Sequence, residues 1–228
     1  MKGRLVLYCT VGLLFGLSSG RSQSFSIGIG SGILAVQGPE FYTGATSAPG
    51  LYRVNGLFSH SNGLDFHTEP QVRALADCYF ESMAVGLSLE FTYAFLRGHG
   101  NAAFWIGETQ VPSVLTTKLD LWSIGIAGRI YLLRSLFSPF VSAAGRVNSF
   151  GELRFRYEDK GYWGENNTTE TFNRLNVGVG GGCDISIFSK TMVRVECQHS
   201  WNNIDHKKEE GEVRSLDVSL SILYEVWQ

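Results

Sequence analysis

From Met83 the chain runs Met-Ala-Val-Gly-Leu-Ser-Leu-Glu-Phe-Thr-Tyr-Ala-Phe. Val85, Leu87, Leu89, Phe91, Tyr93 and Phe95 therefore share one face of an extended strand, and Gly86, Ser88, Glu90 and Thr92 share the other. The same two-residue alternation recurs through most of the chain. It predicts strands near 25–37, 83–96, 103–111, 119–132, 139–157, 174–188, 191–201 and 214–227. The joints alternate in length, with short ones at 97–101, 133–138 and 189–190 and long ones at 38–82, 158–173 and 202–213. This asymmetry, the even strand count and the alternation predict an all-β fold, an eight-stranded antiparallel up-and-down transmembrane β-barrel. A further hairpin around Ser61-Asn62-Gly63 in the first long joint would make ten strands.

Which face points outward follows from the polar set. Ser123, Gly125, Ala127 and Arg129, then Ser142, Ala144, Arg146 and Asn148, then Gly178, Gly180, Gly182 and Asp184 are small residues with about one charge per strand, which suits a crowded interior. The opposite face, Ile124, Ile126, Ile130, Val177, Val179, Ile185 and Ile187, carries no charge and suits lipid. A soluble ligand-binding barrel with its apolar face inward would place long charged side chains on its surface. Here Lys118, Lys160, Lys190, Lys207 and Lys208 all fall in or beside loops. Aromatics prefer the headgroup level. Tyr93, Phe95, Tyr224 and Trp227 are expected at the periplasmic girdle, and Trp122, Phe155, Tyr157 and Trp201 at the outer one.

The N-terminus agrees with export. Lys2 and Arg4 precede an uncharged run from Leu5 to Leu17, followed by Ser18, Ser19 and Gly20, the pattern of a secretory signal. Residues 1–24 are expected to be cleaved, after Gly20 or Ser24, leaving 25–228 as one outer-membrane barrel domain. The apolar run is shorter than the roughly 20 residues of a spanning helix. Formal charge is −2 overall and about −5 once Lys2, Arg4 and Arg21 leave with the signal, without a basic cluster that would track nucleic acid.

In pattern the chain resembles the small bacterial outer-membrane barrels of the OmpA and OmpX type. The likeness lies in Ser123-Ile-Gly-Ile-Ala-Gly-Arg-Ile-Tyr, a short turn, and Ser138-Pro-Phe-Val-Ser-Ala-Ala-Gly-Arg-Val. The last strand, Leu216 to Gln228, is similar to the C-terminal signal read by the barrel assembly machinery, with Gln228 following the usual terminal aromatic. The resemblance implies a cell outer membrane location, outer-membrane lipids as surroundings and a monomer.

Candidate chemistry is sparse. Glu90, Arg129, Arg146, Asp184, Arg194, Glu196 and Asp217 are all expected in the lumen, where buried charges must pair. An interior of eight strands is only wide enough for side chains to fill, so an ion-paired plug is expected rather than a narrow pore. A register pairing Phe188 with Met192 would set Cys183 opposite Cys197 and Asp184 opposite Glu196. The two thiols then form a cross-strand disulfide or remain two small apolar residues. Cys78 is left over, and no cysteine or histidine spacing suits a metal. No cofactor is expected.

Some outer-membrane barrels are lipases or deacylases with a His-x-Ser-Asn pattern. Ser59-His60-Ser61-Asn62 and His199-Ser200-Trp201-Asn202 lack the spacer, so histidine and serine would fall on opposite faces. His67, His99 and His206 lack partners at any such spacing. No catalytic residue is therefore assigned, and a lipid-modifying enzyme stands as the alternative function. A structural, adhesive or loop-mediated binding role is the first reading, for an extracellular ligand that the sequence does not name. Tyr162 and Trp163 are the most contact-like loop residues.

Overall fold

A computed structural model describes residues 23–37, 65–66, 69–106, 109–151, 154–159, 162–167, 172–205 and 212–227. The strands are β1 (Gln23–Gln37), β2 (Asp65–Phe66), β3 (Glu69–Phe80), β4 (Val85–Ile106), β5 (Thr109–Tyr131), β6 (Phe137–Phe150), β7 (Arg154–Asp159), β8 (Tyr162–Asn167), β9 (Phe172–Phe188), β10 (Thr191–Trp201) and β11 (Arg214–Trp227). Eight of them, β1, β3, β4, β5, β6, β9, β10 and β11, pair antiparallel in a ring that the β4–β5 ladder closes. Closure leaves no sheet edge in lipid, which is the condition for a sheet to span a bilayer.

The alternation runs inside-out, as the polar face requires. Ile29, Ile124, Ile126, Val179, Leu220 and Ile222 are exposed on the outer wall, whereas Glu90, Arg129, Arg194 and Glu196 are at most 2 % exposed inside. Inward glycines let strands carry such large neighbours. A Cβ on Gly125 would run into Arg146 Cγ, and one on Gly182 would stand 2.7 Å from the Phe140 ring.

The eight-strand count holds, but its composition differs from expectation. The first long joint contains a barrel strand, β3, between β1 and β4. The additional hairpin expected around Ser61-Asn62-Gly63 lies outside the described residues, and so do residues 1–22 with most of the export signal. No separate strand exists at 103–111. Ala103 to Ile106 end β4, and Thr109 to Val111 begin β5. The short turn expected at 97–101 is strand as well, because Arg97 to Asn101 pair with Lys118 to Val114. The expected strand 139–157 is interrupted after Phe150: β6 follows β5 up to Leu121, and β7 resumes alongside it from Lys118.

Short connections at 81–84, 132–136 and 189–190 mark one end of the barrel, together with Gln23 and Trp227. Tyr93 and Phe95 lie toward the opposite end, where Tyr93 pairs with Trp122 at 4.3 Å between ring centroids. They therefore belong to the outer girdle, not the periplasmic one. Tyr224 and Trp227 sit at the short-turn end and Trp201 at the long-loop end, as expected.

Register between β9 and β10 also departs from expectation. An irregularity at Thr191/Met192 sets Met192 opposite Ser186, so Cys183 faces Val195 and Cys197 faces Gly181. Cys78, Cys183 and Cys197 are free thiols. Phe188 pairs with Thr191 rather than Met192, and the irregularity that follows adds one more step, so the ladder stands two residues from the expected register and the disulfide pairing is lost with it.

Two outcomes test this wall. Ile126, midway along the barrel part of β5, is expected to cost about 2–4 kcal/mol when changed to Arg, against within about 0.5 kcal/mol for Leu133→Arg in the turn, in denaturant titrations of protein folded into vesicles. Equal costs would contradict the outward assignment. Alkylation of denatured, unreduced protein should label Cys78, Cys183 and Cys197 alike, and protection of the last two would contradict the register.

Candidate functional site

The lumen is the most ordered polar assembly in the molecule. All seven charges anticipated there are buried on inward positions, and β3 adds two that the sequence pattern missed, Arg73 and Asp77. Four arginines thus face five carboxylates inside the ring.

Glu90 is the hub. Its Oε1 lies 2.6 Å from Arg129, and its Oε2 lies 2.7 Å from Arg146 and 3.1 Å from Arg73. Glu196 joins two of the same guanidiniums, 3.1 Å from Arg129 and 3.4 Å from Arg73. A second knot lies closer to the short turns. Arg194 grips Asp184 through Nε at 2.7 Å and Nη2 at 2.8 Å, a two-point contact, and meets Asp77 at 2.6 Å. Asp77 is also 3.7 Å from Arg129, which links the two knots. Asp184 thus stands opposite Arg194, and Glu196 opposite Gly182, in place of the carboxylate pair expected from the shifted register. Asp217 accepts from the Gln71 amide, and Arg73 donates to Ser219.

Aromatic and amide groups border the two ends of this network. Toward the short turns, Tyr131 donates to Asp184 at 2.7 Å and packs edge-on against Tyr79 and Phe140. Arg134 lies 3.7 Å over the Tyr79 ring. Toward the outer mouth, Asn148 and Asn176 both donate to the Asn202 carbonyl oxygen, and Asn202 donates to Ser215. A void of about 30 Å³ lies at this end, lined by Asn148, Asn176 and Asn202 together with Gln71, Arg146 and Asp217. That is room for one or two water molecules.

His199 is on the outer wall, edge-on to Trp201 at 4.9 Å, while Ser200 is buried inside. His60, His67 and His206 lie outside the described residues. No group of three or more His, Cys, Asp or Glu side chains suited to a metal occurs among the described residues.

Outside the membrane the fold continues. β4 and β5 run 22 and 23 residues, against 11 to 17 for the other barrel strands. Their barrel partners stop at Ala94 and Leu121. Beyond that pair the two strands form a ribbon out to Ile106 and Thr109, flanked by β2 on one side and by the β7–β8 hairpin on the other. Tyr162 and Trp163 pair with Asp159 and Glu158 at the start of β8. The sequence did carry a signal for this ribbon in the apolar run Ala102-Ala-Phe-Trp-Ile, but glycines at 98 and 100 read as a turn.

No protein-family model matches the chain, and no curated protein matches it. Solved structures do. Neisserial surface protein A superimposes with a TM-score of 0.51 at 12 % identity, covering 90 % of this chain and 99 % of that one. The outer membrane protein OprG from Pseudomonas aeruginosa gives 0.51 at 8 % identity, covering 91 % and 98 %. At such identities the likeness carries the fold: this chain has the architecture of a small eight-stranded outer-membrane β-barrel.

Proposed function

We propose that the barrel is a closed, non-catalytic membrane anchor that presents an external β-ribbon for binding or adhesion. The observation that carries this reading is the pairing of a filled lumen with the twelve residues of β4 beyond Ala94. At about 3.3 Å per residue these reach about 40 Å along the strand, far more than a tilted strand needs to clear the bilayer. A ribbon of that length has no role in closing the barrel.

The ribbon tip supports a contact role. Phe104, Trp105 and Ile106 occupy its last paired positions, opposite Val111, Gln110 and Thr109. Tyr162 and Trp163 occupy the neighbouring hairpin. Aromatic residues placed on projecting elements are the usual anchors of protein contacts. Pro112 stands where β5 pairs with β4 alone, an edge position of the kind that tolerates proline.

Replacement of residues 101–114 by Asn-Gly would shorten the ribbon and leave the barrel ladder intact. Cells displaying this variant are expected to lose most of the adhesion to epithelial monolayers that the full chain confers, with the heat-modifiable gel shift retained. Unchanged adhesion would contradict the reading. In planar bilayers the purified protein should give no large steady single-channel currents, and their appearance would contradict a filled lumen. Glu90→Ala leaves three buried guanidiniums short of their shared partner, and a loss of about 3–5 kcal/mol is expected in denaturant titrations.

A further inference from the structure

Every carboxylate sealed in the lumen but one has an arginine against it. Arg73, Arg129, Arg146 and Arg194 are buried with Asp77, Glu90, Asp184, Glu196 and Asp217, four positive groups against five negative. The first four carboxylates each meet a guanidinium at 3.1 Å or less. Asp217 does not. Its hydrogen-bond donor is the Gln71 amide, and no arginine among the described residues reaches it. At the rim, the half-buried Glu69 of β3 and Arg174 of β9 stand on inward positions, add one charge of each sign and leave the difference at one.

The groups around Asp217 are short of partners too. Gln198 of β10 stands directly opposite it and is 2 % exposed, yet neither polar atom of the Gln198 amide has a hydrogen-bond partner. Asn176 lines the void that Asp217 borders and is 5 % exposed, and its Oδ1 is likewise without a partner. One row farther out, Ser200 and Ser215 face each other and border the same void. The β9 positions of these two rows are Gly180 and Gly178, which leave the space beside them open. Gln198 and Ser200 converge there, because a Cβ on Gly178 would lie 2.9 Å from Gln198 Cδ and 2.6 Å from Ser200 Oγ. Water would satisfy the neutral atoms, but it brings no charge, and a carboxylate withdrawn from bulk water needs one.

We propose that Asp217 binds one monovalent cation of sodium size, together with the carbonyl oxygens of Asn176 and Gln198 and the hydroxyls of Ser200 and Ser215. The single charge follows from the count, since one added positive charge makes the sealed interior neutral and two would reverse its sign. Hard cations take oxygen ligands, and all five groups supply oxygen. A calcium ion would take about six to eight of them, and magnesium keeps several of its own waters, which a void this small does not hold. Arg146 borders the void from β6, but its Nη2 is bonded to Glu90 at 2.7 Å. Asp217 lies three residues in from the outer end of β11, so the ion is drawn from the external medium. It then ties β9, β10 and β11 together across the ring from the ribbon strands, whatever the ribbon binds.

The test follows urea unfolding of the full chain in phosphatidylcholine vesicles while sodium chloride is replaced stepwise by N-methyl-D-glucamine chloride, so that ionic strength, anion and pH stay fixed. Above the dissociation constant, the folded-to-unfolded ratio should rise about tenfold for each tenfold rise in sodium, as for any ligand held by the folded state alone. Asp217→Asn keeps the shape and removes the charge, and its ratio should not respond. Glu81→Gln, in an exposed turn, should respond like the wild type. Broadening of the sodium NMR resonance by folded wild type, beyond that of empty vesicles and unaffected by excess N-methyl-D-glucamine, reads the site without any variant. Absence of both sodium responses in the wild type, or an equal stability response in D217N, would overturn the proposal. Stability that rises on acidification with no response to sodium would overturn it in favour of a proton on Asp217. A larger response to calcium than to sodium would overturn the monovalent assignment.

Discussion

The governing constraint is that a backbone inside hydrocarbon must satisfy every N–H and C=O from within the protein. For a chain built of strands the solution is a closed ring, and here the β4–β5 ladder supplies the closure. Once the ring exists, the two-residue period of a strand assigns every other side chain to lipid and the rest to an interior too narrow for bulk water. The outward run from Phe91 to Val85 and the inward run from Thr92 to Gly86 are two consequences of that single geometric condition.

The interior then faces its own electrostatic requirement. Charges removed from water are tolerated only when paired and hydrogen-bonded, and Glu90 meets this by serving Arg73, Arg129 and Arg146 at once. These residues come from β3, β4, β5 and β6, so the knot joins neighbouring strands across their inner face, and Glu196 reaches it from the far side of the ring. The aromatic cluster of Tyr79, Tyr131 and Phe140 fills the short-turn end, and a hydrogen-bonded asparagine layer borders the other. A rigid, filled cylinder of this kind is a suitable base for a long ribbon, because bending forces on β4 and β5 are passed to a wall tied together from within.

Much of this was legible in the sequence, for reasons that particular strands make clear. β4, β5, β6 and β11 alternate large apolar with small or charged residues, so their faces were assigned correctly down to single positions such as Ile126 and Arg129. β3 was missed because its outward residues include Ala74, Ala76 and Cys78, whose small side chains give little contrast against Arg73, Leu75 and Asp77. Missing β3 reversed the apparent direction of β4, which sent Tyr93 and Phe95 to the wrong girdle. A supposed strand at 103–111 then restored the count. The true ribbon there was hidden by Gly98 and Gly100, which read as a turn but stand within the ladder opposite Thr117 and Leu115. The β9–β10 register failed for a subtler reason: the turn pairs Phe188 with Thr191 and an irregularity follows at Thr191/Met192, a combined two-residue step that keeps every side chain on its face and so leaves no mark in the hydropathy pattern, and with it went the cysteine pairing.

Site-directed spin labelling along residues 121–131 in lipid vesicles tests the inside-out arrangement most directly. Collision with oxygen, which partitions into acyl chains, should be high at positions 122, 124, 126, 128 and 130. It should be low at 123, 125, 127, 129 and 131, which should also be shielded from a water-soluble relaxation agent. The opposite phase, or no two-residue period at all, would contradict a lipid-facing apolar wall around a filled polar interior.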